Sequence, residues 1–355
     1  MSSPRAIQPA NNGPVGTAHV AAIVMGVASS HTAKDDVDTA LFAPIAGATP
    51  VGWVIDAVLG ASARRVGIIG VAQSIVERES VLSREDKAVI KFVDNGADVV
   101  SSLDRALHLI GPDLTLSDTA HVLILSVASP QITSDELKDL TDRHVRSGAS
   151  ATVVHNHPAE VQPGEETGGP VLSFGDDGVL QSILEPMSSR PAEPAVAIVR
   201  ASMLMPALRR VMPERFSRRL LLNDAVATLE ESGHTVVHEV RPEPLMSIVD
   251  GMSRSQIETQ MRRRVVHEWI DRGVQVADPA QVTIDASVVI GQGVIIRSGT
   301  VIEGATVIAD GALIGPNTHL DNATIGAGAV VPNCSITGAD VAPHEVLAPF
   351  TVRER

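Results

Sequence analysis

The segment VTIDASVVIGQGVIIRSGTVIEGATVIADGALIGPNTHL, residues 282–320, decides the fold of the C-terminal part of the chain. An aliphatic side chain recurs at every sixth position, and the residues between are small, polar or turn-forming. The recurring positions are Ile284, Ile290, Ile296, Ile302, Ile308, Ile314 and Leu320. The spacing slips after Leu320, and the pattern resumes at Ile325, Val331 and Ile336. Strands repeat every two residues and helices every 3.6, so a sustained period of six is typical of neither.

This period predicts a hexapeptide solenoid, a short left-handed parallel β-helix in which each flat face takes about six residues. One aliphatic side chain per face points inward and stacks on its equivalent in the next coil. Seven glycines are expected at the tight corners, where a positive φ favours glycine. These are Gly291, Gly293, Gly304, Gly311, Gly315, Gly326 and Gly328. Cys334 is expected to be a buried small apolar residue, because it has no basic neighbour in sequence that would activate a thiol.

Residues 253–273 precede the solenoid and read as one helix. Ile257, Met261, Val265 and Trp269 recur every four residues on one face, and Gly273 is a suitable C-terminal cap. The three consecutive arginines 262–264 suit either a phosphate-binding patch or a solvated helix face. The solvated face is favoured on an acidic chain.

The N-terminal part alternates apolar strands with amphipathic helices. This order predicts a parallel sheet covered on both faces, a doubly wound, Rossmann-like α/β domain. Ligands in such domains bind beyond the carboxyl ends of the strands, here after residues 28, 72 and 128. The predicted strands are 21–28, 66–72, 121–128 and 149–156, and the predicted helices are 51–61 and 134–148, the latter opening with a capping box.

Composition narrows the class of protein. The 355 residues carry 28 Lys+Arg against 42 Asp+Glu, a net charge of −14, which disfavours nucleic acid and anionic membranes as partners. A single cysteine excludes an internal disulfide framework. The N-terminus is polar and the apolar runs are short, so we expect a soluble, cytoplasmic protein. The predicted organisation is a tail at 1–18, the α/β domain at 19–248, a linking helix at 249–274 and the β-helix at 275–355.

This order of parts resembles the bacterial bifunctional N-acetylglucosamine-1-phosphate uridylyltransferase/glucosamine-1-phosphate acetyltransferase family. The resemblance covers about residues 19–350. Four stretches carry it: PIAGATPVGWVIDA (44–57), LLLNDAVATLEESGHTV (220–236), RRRVV (262–266) and VQVADPAQVTIDASVVIGQGVIIRSGT (274–300). It implies a nucleotidyltransferase-like domain and a homotrimer formed through the β-helix. The family's acetyltransferase residues lie in later coils than those present, so this second activity is not expected.

The resemblance also implies which positions would carry uridylyl transfer, and most of them are altered. The family's phosphate-cradling glycines match Ala28 and Ser30, on either side of Ser29. Its two Mg²⁺ ligands, an aspartate and an asparagine, match Ala128 and Met252. Mg²⁺ is therefore expected only if the site has been rebuilt with other residues, and no metal ligand is assigned.

The remaining matched positions give a nucleotide and sugar pocket by position only. The family's uracil-side glutamine matches Val93, whereas Glu185 and Asp224 retain acidic groups. Lys34 and His31, in the loop after the first strand, are candidate catalytic residues of a rebuilt site, although a solvated loop is favoured for them.

Other histidines are weaker candidates. His155 and His157 are two residues apart, and Glu160 follows them. They suit either a metal site or solvated loop residues, and the loop is favoured because two histidines alone specify a metal site poorly. His319 and His344 are expected at corners or on faces of the solenoid.

Two functions remain open from the sequence. One is an active enzyme that makes a nucleoside-diphosphate sugar or cyclitol with relocated catalytic groups. The other is a non-catalytic relative that keeps the fold and the trimer as a binding, regulatory or scaffolding subunit, with a nucleotide or sugar phosphate as a candidate ligand. The lost metal ligands and glycines favour weak or no family activity.

Overall fold

The computed structural model describes residues 19–26, 42–79, 81–93, 99–111, 113, 119–156, 171–174, 180–184, 196–210, 222–241, 245–248 and 251–355. The predicted tail at 1–18 lies outside the described residues. The other predicted domain boundaries remain predictions.

The α/β part is built on a seven-stranded sheet. Its strands are β1 (His19–Met25), β2 (Val66–Ile69), β3 (Ile90–Val93), β4 (Ala120–Ser126), β5 (Ala151–Asn156), β8 (Val196–Arg200) and β9 (Val236–Arg241). They lie in the order β3-β2-β1-β4-β8-β5-β9, and β8 alone in this sheet runs antiparallel to its neighbours. A separate hairpin joins β6 (Val171–Phe174) to β7 (Leu180–Leu184).

Helices cover both faces of this sheet. They are α1 (Pro50–Gly60), α2 (Gln73–Glu77), α3 (Arg84–Ala88), α4 (Val99–Ile110), α5 (Ser134–Ser147), α6 (Ala201–Arg210) and α7 (Leu222–Glu231). One apolar cluster contains α1 and α5, and another contains α4, α6 and α7, so alternate residues of the central strands face different clusters. The doubly wound α/β prediction is therefore confirmed.

Local sequence sets where these helices begin and end. The hydroxyl oxygen of Thr49 accepts the N–H of Gly52 at the start of α1, and Pro50 occupies its first turn. The capping box of α5 forms between Thr133 and Glu136, and Gly148 ends the helix in the left-handed conformation at φ 68°.

A single long helix, α8 (Gly251–Asp271), leads to the C-terminal part. Ile257, Met261 and Val265 of the predicted apolar face are buried, while Trp269 is half-buried. The expectation of a solvated arginine face holds for Arg263, which is exposed. Arg262 is half-buried and pairs with Glu258 at 2.8 Å, and Arg264 pairs with Glu268 at 2.9 Å and lies over the Trp53 ring. None of the helices in the described part of the chain is both long and apolar enough to cross a bilayer.

The C-terminal part is a parallel β-helix, which confirms the solenoid prediction. Its short strands form three parallel ladders, β10-β13-β16-β19, β11-β14-β17-β20-β22 and β12-β15-β18-β21. Their bounds are β10 (Gln275–Val276), β11 (Thr283–Ile284), β12 (Val289–Ile290), β13 (Ile295–Ile296), β14 (Val301–Glu303), β15 (Val307–Ile308), β16 (Leu313–Ile314), β17 (His319–Asp321), β18 (Thr324–Ile325), β19 (Val330–Val331), β20 (Ser335–Thr337), β21 (Asp340–Val341) and β22 (Val352–Glu354).

The aliphatic positions of the six-residue period form the buried core of these coils. Ile284, Ile302, Leu320 and Ile336 are in register on one face, and each has no exposed surface. The first two steps along this stack span 18 residues and the last spans 16, because later faces take five residues instead of six. This shortening accounts for the slip in the sequence period.

The corner prediction is correct for five of the seven glycines, namely Gly293, Gly304, Gly311, Gly315 and Gly328, which have positive φ. Gly291 and Gly326 do not have positive φ, so the predicted reason for glycine was wrong at these two positions. A Cβ at Gly291 would lie 2.8 Å from the backbone nitrogen of Asp310, and one at Gly326 would lie 2.7 Å from the carbonyl carbon of Ala342. Close approach of the next coil requires glycine at these two positions.

Candidate functional site

The carboxyl edge of the seven-stranded sheet is the place to look for a site. Strands β1, β2, β3, β4, β5 and β9 all end at this edge, since each is parallel to β1 directly or through its neighbours. The chain order reverses between β1 and β4, which makes the crevice between their ends the topological switch point.

The chain leaves β1 through a glycine that the packing requires. The Gly26 N–H donates to the carbonyl oxygen of Ile69 at 2.8 Å. A Cβ at Gly26 would lie 2.6 Å from a methyl carbon of Val71 and 2.9 Å from the carbonyl oxygen of Gly70. Ala28, Ser29, Ser30, His31 and Lys34 follow in the sequence and lie outside the described residues, so their predicted roles stay predictions.

The end of β4 is lined by hydroxyl groups and a methyl group. The Val127 N–H donates to the carbonyl oxygen of Met25 at 3.0 Å, which joins the ends of β4 and β1. Ala128 is half-buried and packs against the larger apolar cluster, and its carbonyl accepts the N–H of Ile248 at 2.9 Å. The buried hydroxyl of Ser129 lies 3.3 Å from that of Ser247.

The other positions expected in the pocket are spread along this edge. Val93 ends β3 and is buried, with 5% of its surface exposed. Strand β3 lies three strand positions from β4, so Val93 is about 14 Å from the end of β4. It lines a separate cavity of about 420 Å³. Met252 lies in the first turn of α8 with 68% of its surface exposed. Asp224 lies on α7, where only its backbone is described, and Glu185 lies outside the described residues.

A buried carboxylate fills the amino terminus of α1, which also faces this edge. The Glu79 side chain is 5% exposed and accepts the Thr49 N–H at 3.2 Å. The pKa of this carboxyl is raised, because the effect of burial is larger than the lowering by the hydrogen bonds from Thr49. A Cβ at Gly52 would collide with the same carboxylate, so helix and acid fit each other closely. Helix amino termini bind anions, and here the chain supplies the anion itself.

The α/β part contains two hydrogen-bonded histidine pairs, and neither pairing was predicted from the sequence. His121 Nδ1 lies 3.0 Å from His144 Nε2. The other ring nitrogen of His144, Nδ1, lies 2.8 Å from the Thr152 hydroxyl. Burial, followed by the neighbouring His121, lowers the pKa of His144 to about 4, and burial lowers that of His121 as well. Both rings are therefore neutral at pH 7.

The second pair contains a sequence candidate. His155 Nε2 lies 2.9 Å from His238 Nδ1, and His238 Nε2 lies 2.7 Å from a carboxylate oxygen of Glu230. His155 is thus a half-buried strand residue, which corrects the expectation of a solvated loop histidine. Its predicted companions His157 and Glu160 lie outside the described residues. The part of the chain that is described holds no group of three residues that suits a metal ion.

The solenoid side chains occupy the predicted places. His319 is on an outer face with its Nε2 3.2 Å from a Glu303 carboxylate oxygen, and His344 is at a corner with φ 59°. Cys334 is 4% exposed, and its thiol donates to the carbonyl of Pro332 at 3.0 Å.

Sequence reasoning missed Glu79, Glu230 and His238. One signal was present for the histidine, since a polar ring on the same face of a strand as a valine requires a partner when that face is covered. No sequence signal identified that partner, because the contact joins residues 83 positions apart.

Comparison with known proteins shows what the chain is similar to. No family model matches the chain. The bifunctional protein GlmU of Exiguobacterium sibiricum is 27% identical over 319 residues, which cover 86% of this chain and 68% of the relative. The chain is GlmU-like. GlmU of Mycolicibacterium vanbaalenii is 28% identical over 347 residues, covering 93% of this chain and 68% of the relative. GlmU of Streptomyces coelicolor is 25% identical over 239 residues, covering 64% and 48%.

The GlmU-like similarity therefore includes both the α/β part and the β-helix. It supports the sugar-1-phosphate nucleotidyltransferase-like relationship that the sequence motifs indicated. The chain spans about two thirds of the length of the first two of these relatives.

Proposed function

We propose that this GlmU-like protein keeps the nucleotidyltransferase fold without the Mg²⁺-dependent uridylyl transfer that the resemblance implies. It acts instead as a binding, regulatory or scaffolding subunit. The observation that carries the proposal is Ala128, whose methyl group lies at the end of β4, at the switch point, where a metal-binding aspartate is expected.

The residues at the implied metal site do not fit Mg²⁺. This ion takes oxygen ligands in octahedral geometry, usually from carboxylates and water. Ala128 offers a methyl group, and Met252 offers a thioether on an exposed helix turn. The hydroxyl of Ser126 accepts the Ala128 N–H at 3.2 Å, and those of Ser129 and Ser247 are 3.3 Å apart; none of the three carries a charge. No catalytic step is therefore assigned to a metal.

Charge at this edge also disfavours a triphosphate. At the amino terminus of α1 the Thr49 N–H already donates to the buried Glu79 carboxylate, and the Gly52 N–H donates to the Thr49 hydroxyl, so a negative charge is already in place there. Lys34 and His31 are the candidate cations for a rebuilt phosphate site. Asp35, Asp36 and Asp38 in the same stretch would repel the negatively charged triphosphate.

Self-association through the β-helix forms the second part of the proposal. Val289 and Val307 are in register on one outer face and are 56% and 43% exposed, and Ile295 of a neighbouring ladder is 37% exposed. Stacked aliphatic side chains on a regular parallel surface suit a contact with the β-helix of another copy. We propose a homotrimer.

A pyrophosphate-release assay tests the catalytic part. The purified protein is incubated with Mg²⁺, with N-acetylglucosamine-1-phosphate or another sugar phosphate, and with UTP, GTP, CTP, ATP or dTTP. We expect no release above a heat-denatured control from protein that is folded by circular dichroism. Release with any pair would contradict the proposal, and Lys34→Ala would then show whether the loop after β1 carries a rebuilt site.

A further inference from the structure

The Glu230, His238 and His155 side chains form a directional hydrogen-bond chain. An ionised carboxylate only accepts, so the 2.7 Å contact makes His238 Nε2 the donor to Glu230. His238 Nδ1 then accepts, and the 2.9 Å contact makes His155 Nε2 its donor. The Nδ1 atom of a neutral His155 is left with a lone pair.

This last nitrogen has no partner among the described residues. No donor from them reaches His155 Nδ1, and the His155 side chain is half-buried, so part of its surface is open. The Glu230 carboxylate at the other end is 43% exposed, whereas His238 between them is 15% exposed. The chain therefore joins two solvent-accessible groups through a shielded imidazole.

The chain ends at the edge where ligands of such sheets bind. His155 is the fifth residue of β5 and lies at its carboxyl end, on the same face as Ala151 of the cluster beneath α7. The titratable groups that act on it are His238 from β9 and Glu230 from α7. Glu239, the next residue on β9, bonds Arg143 at 2.7 Å on the other side of the sheet.

We propose that Glu230, His238 and His155 form a proton relay that supplies the carboxyl edge with a general base, the Nδ1 atom of His155. The matching ligand carries a hydroxyl group or a bound water. Its proton moves to His155 Nδ1, the Nε2 proton of His155 moves to His238 Nδ1, and the Nε2 proton of His238 moves to the Glu230 carboxylate. Glu230 then releases the proton to solvent. This inference goes beyond the binding, regulatory or scaffolding role proposed above, because it adds proton transfer at the end of β5, and it does not depend on the proposed loss of uridylyl transfer.

The neutral tautomers give the first test. Long-range ¹H–¹⁵N correlation spectra of histidine-labelled protein at pH 7 should show the proton on Nε2 of both His155 and His238. A proton on His155 Nδ1, or a doubly protonated His155, would overturn the proposal. This measurement uses the wild-type chain and so does not depend on whether a variant folds.

Diethyl pyrocarbonate provides a reactive probe for the base. The His155 Nδ1 lone pair forms a bond to the carbonyl carbon, the bond to the ethyl carbonate leaving group breaks, and the Nε2 proton must then depart through His238. Mass spectrometry should show His155 modified at least about tenfold faster than His144, which is 1% exposed with both nitrogens bonded. Equal rates at the two histidines would overturn the proposal.

A matched pair of variants tests the relay itself. Glu230→Gln keeps an oxygen that accepts from His238 but cannot take up the proton, so His155 modification should slow by about fivefold or more. Glu231→Gln makes the same change at the exposed neighbouring position and should leave the rate unchanged. If both variants react like the wild-type protein, His155 is accessible but no relay operates.

Discussion

The backbone N–H of Ala286, in the first coils of the β-helix, donates a 2.9 Å hydrogen bond to the carbonyl oxygen of Ala46 in the α/β part. Gly47, the next residue, has φ +87°, and a Cβ there would lie 2.6 Å from the Cβ of Asp285. The turn before α1 is therefore fitted directly against the solenoid. A continuous apolar cluster extends from α1 through α8 into the coils. The two parts form a single packed unit at this contact.

We expect Gly47→Ala to lower the free energy of unfolding by about 3 kcal/mol, since it adds a backbone penalty of about 1 kcal/mol and a collision with Asp285. Gly148→Ala is the matched control, because Gly148 has φ +68° with no atom within 4 Å of the added Cβ. It should lose only about 1 kcal/mol. Urea denaturation measures both. If the two variants lost equal free energies of unfolding, the turn at Gly47 would not be in tight contact with the β-helix.

The solenoid core gives a second comparison, between adjacent residues of β14. Ile302 has no exposed surface and stacks between Ile284 and Leu320, so Ile302→Ala should cost about 3 kcal/mol through lost burial and a cavity. Val301 faces outward and is half-buried, and Val301→Ala should cost less than about 1 kcal/mol. Thermal unfolding followed by circular dichroism measures both. A reversed order would contradict the register of the ladders.

Stability should fall as the pH is lowered from 7 to 5. His144 has a folded pKa of about 4, below its usual 6.5 because of burial, so the unfolded chain binds a proton in this range and the folded chain does not. The contribution of His144 to the free energy of unfolding is fully present above pH 6.5 and is lost as the pH falls toward 4. Between pH 7 and pH 5 this loss is roughly 2 kcal/mol.

The His144→Gln variant separates this effect from other groups. It should be less stable at pH 7, because Thr152 and His121 lose their partner, yet its stability should depend less steeply on pH. His155, whose pKa is also about 4, keeps part of the dependence in the variant. An unchanged pH slope in urea denaturation would show that folding does not shift the pKa of His144.

Sequence patterns could predict most of this fold because its periods are strong. The six-residue repeat identified the buried aliphatic position of each face from Ile284 to Leu320, and the strand beginning at Ala21 was placed within a few residues. The edges of the α/β part were harder. Glu79 reaches Thr49 across 30 residues, and His155 reaches His238 across 83, so neither contact has a local signature. The residues of the candidate site were difficult to predict for the same reason, since a pocket is assembled from the ends of strands that are far apart in the sequence.

The loss of the metal ligands predicts how UTP behaves. Titration calorimetry should show that Mg²⁺ changes the dissociation constant for UTP by less than about twofold, because neither Ala128 nor Met252 provides an oxygen ligand. The double variant Ala128→Asp, Met252→Asn places a carboxylate and an amide at these positions. Mg²⁺-dependent tightening in the wild-type protein would show that other residues hold the ion.

The outer faces of the β-helix predict the oligomeric state. Sedimentation equilibrium should give three times the chain mass of 37.2 kDa. Val307→Glu should shift the mass toward one chain, because it puts a charge into the aliphatic column beside Val289. Leu109→Glu is the control, since Leu109 is 52% exposed on α4 in the α/β part and its variant should remain trimeric. A monomeric wild-type protein would exclude the trimer. A trimer that tolerates Val307→Glu would place the contact on another face, and Ile295→Glu then tests the neighbouring ladder.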